Sequence, residues 1–271
     1  MRIRIRHETR YRYDKPIDLA AQVVRLAPRD HEGQRVLSWR VMDGNRRMLP
    51  GFEDGYGNRC HLVTIERRHE ESAIIVEGEV ETSESAGVVT GAIDPLPALF
   101  YLRQTDATRP DKAIEDLAAA QAGVADPVER LHRLMLDVRA RVVYEVGSTS
   151  VVTSAAEALA RGHGVCQDHA HVLIAAARLL GHPARYVSGY FWDGPRTEPT
   201  EASHAWAEVR IDRLGWVGFD AANGLSPTEA YVRVAVGLDY TEAAPVRGIR
   251  RGGAAETLAV AVEVQQVQAQ Q

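Results

Sequence analysis

The sequence predicts an α+β chain: a β-sandwich-like N-terminal domain, then a core of helices packed on an antiparallel sheet. Three observations carry this. Up to about residue 90 the chain reads as short strands separated by glycine-rich turns. Helical periodicity begins only after a stretch rich in proline and glycine, and strand patterns return beyond residue 184. Strands, then helices, then strands again give this class rather than an alternating βαβ order.

Residues 1–13, MRIRIRHETRYRY, alternate mostly basic residues with apolar or aromatic ones, the two-residue period of a half-buried strand. Further strand-like runs fall at 36–41, 60–67 and 73–82, with turn signals at Asp43-Gly44-Asn45 and across 53–58. Residues 91–111 hold Gly91, Pro95, Pro97 and Pro110 and read as a linker. The expected division is therefore a β-rich domain at 1–90, a linker at 91–111 and a core at 112–271.

A first helix is expected over 111–121. Asp126-Pro127 then gives an N-cap followed by proline at the first helical position, and Val128, Leu131, Leu134 and Val138 supply a buried face. Ser154 with Glu157 makes a capping box for a short helix ending near Gly162. Residues 166–180 form the clearest helix, with Ala170, Leu173, Ile174, Ala177 and Leu180 on one stripe and Gly181 as its terminator. Strands follow at 184–192, 204–211, 216–219, 231–236 and 257–264, and residues 265–271 are a polar, frayed end.

Composition narrows the function. No apolar run of 18 residues occurs, so no membrane-spanning helix is expected. The N-terminus lacks the apolar region of a signal peptide, and only Cys60 and Cys166 are present, which points to the cytoplasm. Residues 1–70 carry 15 basic and 10 acidic side chains, against a net charge of −5 for the whole chain. The arginines of residues 1–13 alternate with apolar and aromatic residues instead of clustering, so they read as a solvated strand face and no nucleic-acid partner is expected. Neither a phosphate-binding loop nor a dinucleotide fingerprint appears, and no cofactor is expected.

Cys166 opens its helix after the loop Gly162-His163-Gly164-Val165. Free N–H groups and the positive end of the dipole there favour a thiolate and could hold an oxyanion. Taken alone, it reads equally as a structural cysteine. His204 begins a strand in which Ala205, Ala207, Val209 and Ile211 share one face and His204, Trp206, Glu208 and Arg210 the other. The turn at 212–215 folds 216–220 back, so Asp220 should stand opposite His204 or one diagonal step away, within reach of the imidazole. His163, Cys166, His169 and His171 also suggest zinc. However, 169 and 171 point to different sides of a helix, and no metal site is expected.

Three blocks now stand in order: Gly-Val-Cys166-Gln-Asp-His-Ala-His, Ser-His204-Ala-Trp-Ala-Glu-Val and Gly-Trp-Val-Gly-Phe-Asp220-Ala-Ala-Asn-Gly. Together they resemble the bacterial transglutaminase-like superfamily. The segments Tyr11-Arg-Tyr and Asp54-Gly-Tyr-Gly-Asn58 look like the β-rich domain that precedes its core, and Val234–Tyr240 and Pro245–Gly248 like its C-terminal signature. The resemblance implies a papain-like core and a catalytic triad of Cys166, His204 and Asp220 acting on a peptide or protein substrate. Members include transglutaminases, peptidases and amidases. Leu238, where the family usually has Arg, and Ala221-Ala222, where it has Pro-Thr, depart from the pattern.

Cys166 would attack a carboxamide or peptide carbonyl, with His204 as base and acid and Asp220 orienting it. Tyr144 is expected either as a second oxyanion donor or as an aromatic core contact. Gln167 is a weaker oxyanion candidate, and Trp206 is expected to wall the cleft. Without acidic clusters of the kind that bind calcium, hydrolysis is expected over amine transfer. The rival class is a non-catalytic binding module with the same cleft.

Overall fold

The computed structural model describes residues 1–194, 203–253 and 255–267. Its first strand, β1 (Arg2–Ala27), runs for 26 residues, twice the expected length. Alternation buries odd positions at first, Ile3, Ile5, Tyr11 and Tyr13, and after an irregular stretch resumes in the other phase with Ala20, Val24 and Leu26. The outward arginines meet carboxylates, Arg2 and Arg4 on Glu79 and Arg10 on Glu8. Pro16 does not end the strand, because the pairing shifts register between Arg12 and Ile17 and its missing N–H falls inside that irregularity.

β2 (Gln34–Asp43), β3 (Gly51–Glu53), β4 (Arg59–Ile65) and β5 (His69–Thr82) complete the N-terminal strands. β5 and β4 lie end to end along one flank of β1, with β2 outside β5 and β3 outside β4. Gly78 of β5 is required by close approach: a Cβ there would stand 2.2 Å from the Trp39 ring.

After β6 (Val88–Val89) and a 3-10 turn (Ala98–Leu102) come α1 (Lys112–Ala119) and α2 (Pro127–Arg141), N-capped by Asp111 and Asp126. β7 (Val143–Tyr144), α3 (Ala155–Arg161), β8 (His163–Gly164) and α4 (Cys166–Leu179) follow. The remainder is β9 (Ala184–Phe191), β10 (Ser203–Ile211), β11 (Gly215–Phe219), β12 (Tyr231–Gly237), α5 (Tyr240–Ala243), β13 (Val246–Gly252) and β14 (Glu256–Gln266). The second sheet has the antiparallel order β12-β9-β10-β11-β6. α4 lies against it with α1, α2 and α3 over the helix's other side.

Four expectations change. The division at 91–111 does not carry to the C-terminus. β13 and β14 pair with the free flank of β1, so residues 246–266 complete the first sheet, while β6 joins the second. The N-terminal unit is one long sheet rather than two. Its apolar face closes on Tyr190, Val232, Val234 and Ala235 of the second sheet, because both faces of that sheet carry apolar side chains. The segment 91–111 is packed rather than a free linker: Tyr101 is fully buried with its ring 5.1 Å from Trp216, and Asp94 accepts from the Trp216 indole at 2.6 Å. Finally, α4 has no solvent-facing side over its middle. Residues 167–178 are all buried, since the sheet and three helices enclose it. Gln265 and Gln266 end β14, and residues 268–271 of the expected frayed end lie outside the described residues.

Candidate active site

The turn before α4 is built by short-range chemistry. The capping box forms, with Ser154 N donating to Glu157 at 2.9 Å and Glu157 N to Ser154 at 3.3 Å. Gly162 ends α3 at φ +73°, a left-handed position suited to glycine. β7 and β8 then pair in parallel, Val143 with His163 and Tyr144 with Gly164, which brings Tyr144 beside the approach to Cys166. Asp168, fully buried, accepts from Val165 N at 2.8 Å and from the Thr149 hydroxyl at 2.6 Å, placing its charge at the positive end of α4. The N–H groups of Cys166 and Gln167, in the first turn, have no intrahelical acceptor.

His204 is the second residue of β10 and Asp220 directly follows β11. Ala207 pairs with Phe219, so residue 204 faces 222 and Asp220 is one diagonal step away. His204 Nε2 lies 2.6 Å from Asp220 Oδ2, and the imidazole shares a cleft with the Cys166 side chain. Burial alone would lower the His204 pKa. The bonds and charges of Asp220 and Cys166 outweigh it and push the value up to about 10. Burial likewise opposes ionisation of Asp220, yet its donors, His204 foremost, hold it below the usual carboxylate range.

Those donors number five. Asp220 Oδ2 accepts from His204, from Asn223 Nδ2 at 2.7 Å and from the Tyr231 hydroxyl at 2.7 Å. Oδ1 accepts from the backbone of Ala222 at 3.0 Å and Asn223 at 3.1 Å. The carboxylate is fully buried and these groups replace its hydration. Sequence reasoning missed Asn223 and Tyr231. The Asp-Ala-Ala-Asn-Gly turn offered a local signal for Asn223, whereas Tyr231 reaches the site only through the tertiary fold.

A cleft of about 800 Å³ opens over Cys166 and His204. Tyr144 and Gln167 both line it. Tyr144 is half exposed, its phenol pushed up by burial and by the nearby Cys166 and Asp220. Gln167 turns its amide to the Val151 carbonyl at 3.4 Å. Trp206 does not wall the cleft. It is 2 % exposed among Val187, Tyr231 and Val236 and backs His204, ring centres 6.2 Å apart, because its side of β10 faces the first sheet. Phe191 takes the expected place, lining the cleft 5.5 Å from the His204 ring. A larger hollow of about 1170 Å³ beside β1, β4 and β5 holds neither cysteine nor histidine.

The other histidines go elsewhere. His163 meets Glu145 at 2.9 Å, His169 sits between the carbonyls of Val165 and Val142, and His171 accepts from Tyr240 N at 3.1 Å. Leu238, the family departure, is buried, and its carbonyl accepts from Arg178 at 2.7 Å. Its neighbour Asp239 caps α5.

The profile of the Transglutaminase-like superfamily matches residues 115–221, and that of the Bacterial transglutaminase-like N-terminal region matches 3–81. An uncharacterized protein of Mycobacterium leprae is 30% identical over 275 residues, covering 97% of this chain and 98% of its own. The chain belongs to the transglutaminase-like superfamily. An uncharacterized Mycobacterium tuberculosis protein is also 30% identical, over 92% of this chain and 87% of its own. Among solved structures, a candidate cysteine protease from Cytophaga hutchinsonii superposes with a TM-score of 0.77 at 21% identity, covering 100% of this chain and 92% of that one. The likeness establishes a shared transglutaminase-like fold. Among the described residues, no helix is long and apolar enough to cross a membrane.

Proposed function

We propose that the protein is a cysteine-dependent acyl-transfer enzyme that hydrolyses peptide or carboxamide bonds. One observation carries this reading: His204, bonded to a fully desolvated, five-donor Asp220, lines the same cleft as Cys166. A merely structural histidine does not need a buried carboxylate on one side and a cleft-lining thiol on the other.

The Cys166 sulfur attacks the carbonyl carbon after its proton passes to His204. The oxyanion is received by the Cys166 N–H, with the Tyr144 hydroxyl as second donor. Collapse breaks the C–N bond, His204 returns its proton to the leaving amine, and a thioester remains. Water, deprotonated by His204, then releases the acid and restores the thiol. Asp220 fixes the ring and stabilises its cation.

The test is thiol chemistry followed by product analysis. Cys166 should alkylate with iodoacetamide faster at neutral pH than glutathione, and His204→Ala should remove the excess. A peptide library should yield an acyl-enzyme by mass spectrometry and cleaved or deamidated products. Equal alkylation rates with no effect of His204→Ala would overturn catalysis, and amine-shifted masses with added primary amine would replace hydrolysis by transfer.

A further inference from the structure

Residues 143–153 present five large apolar side chains to solvent. Val143 is 62 % exposed, Tyr144 53 %, Val146 72 %, Val151 61 % and Val152 84 %. The segment is not a loose loop. Its ends and middle are tied down: Glu145 N to the Gly164 carbonyl at 2.9 Å, Thr149 to Asp168 at 2.6 Å, Gln167 to Val151 and Ser150 N to Thr153 at 3.0 Å. Holding β-branched side chains in water on a fixed scaffold is unfavourable unless something covers them.

The cleft shows what does. Tyr144, Val146 and Val151 join Val165 to form the wall beside Cys166. Among the described lining residues no lysine or arginine occurs, and the charged groups are Asp193 and His204. An acidic side chain would find no lysine or arginine here, and the His204 cation is already paired with Asp220, whereas an apolar one would cover three exposed residues of the wall beside Cys166.

We propose that segment 143–151 is a substrate-reading lip that selects peptides with an aliphatic or aromatic side chain beside the bond that Cys166 attacks. The inference rests on the hydrolase reading and names its substrate class. Asp168 has a second task in it: through Thr149 it anchors the lip to the same helix turn that carries the nucleophile, fixing the distance between the side-chain pocket and the thiol.

Two measurements test it. Fluorescence anisotropy with the inert Cys166→Ala protein compares labelled peptides that differ only in Val, Phe, Glu or Lys at one position. Val and Phe peptides should bind about tenfold more tightly than the Glu peptide, the discrimination an apolar subsite commonly gives. In the active protein, Val151→Asp and Val146→Asp should raise KM for the Val peptide about tenfold, with kcat and iodoacetamide reactivity changed far less. Both side chains are mostly exposed, so folding should tolerate the change. Equal binding of Val and Glu peptides, or an unaltered KM in both variants, would overturn the lip. So would attachment to phosphatidylcholine vesicles without any preference among peptides. Should Cys166 prove inert while the Cys166→Ala protein still prefers apolar peptides, the lip stands and the hydrolase reading alone fails.

Discussion

Asp220→Asn tests the hydrogen-bond count at the heart of the site. The carboxylate accepts three donors on Oδ2 and two backbone N–H groups on Oδ1. An amide has one oxygen and one NH2. With its oxygen in the Oδ2 position, the NH2 faces the N–H groups of Ala222 and Asn223; flipped, it faces His204, Asn223 and Tyr231. The better orientation leaves two buried donors unpaired, costing about 2–6 kcal/mol at 1–3 kcal/mol each. In a chain of this size that lowers Tm by roughly 5–20 °C. The variant also loses the charge that raises His204. His204 is raised from 6.5 to about 10, so its contribution to stability is fully present below about pH 6.5 and disappears as pH rises through about 10. The gap in Tm between wild type and Asp220→Asn should therefore narrow above pH 10. Thermal melts across pH 5–11 measure both. A variant melting within 2 °C of wild type at pH 7, with an unchanged alkylation pH profile, would show that the five donors and the His204 shift are not as drawn. Tyr231→Phe, which removes one donor and adds none, gives the same comparison with a smaller penalty, about 1.5–3 kcal/mol.

Other outcomes follow from the same structure. Glu208 is fully buried between Arg185 and Arg233, and although burial opposes ionisation, the two guanidinium groups bring it down to about 2. Glu208→Gln should cost about 3–5 kcal/mol at pH 7 by removing the buried charge shared by Arg185 and Arg233 and leaving Arg185 only Asp94 at 3.3 Å, read by urea unfolding; the wild-type contribution is present above about pH 4.5 and lost as pH falls through about 2. Gly189→Ala should block pairing of β9 with β12, since its Cβ would stand 2.2 Å from the Val232 carbonyl and 2.6 Å from Trp206; loss of soluble protein or of a cooperative melt is the readout. Tyr144→Phe should lower kcat about tenfold or more while leaving the melt unchanged, if its hydroxyl receives the oxyanion.

Features set by neighbours in the chain were legible in the sequence. The caps at Asp126 and Ser154, the end of the short helix near Gly162 and the arginine alternation at the start of β1 depend on groups a few residues apart, and each is present. The pairing of His204 with Asp220 was legible for the same reason: one short hairpin joins them, so counting back from its turn places the two within a diagonal step.

What crosses the molecule was not legible. Trp206 shares its strand side with His204 in the alternation, but only the position of the first sheet decides that this side is buried behind the imidazole instead of open to the cleft. Tyr231 reaches Asp220 from β12, which β9 and β10 separate from β11, and the return of residues 246–266 to β1 joins segments more than 200 residues apart; neither has a local pattern, because the order of strands and the flank left free decide them. The sequence by itself determined the three chemical groups, Cys166, His204 and Asp220, and the short-range turns that aim them. Only the tertiary structure decided the environment that gives them force, since desolvation and converging donors are properties of packing and not of spacing.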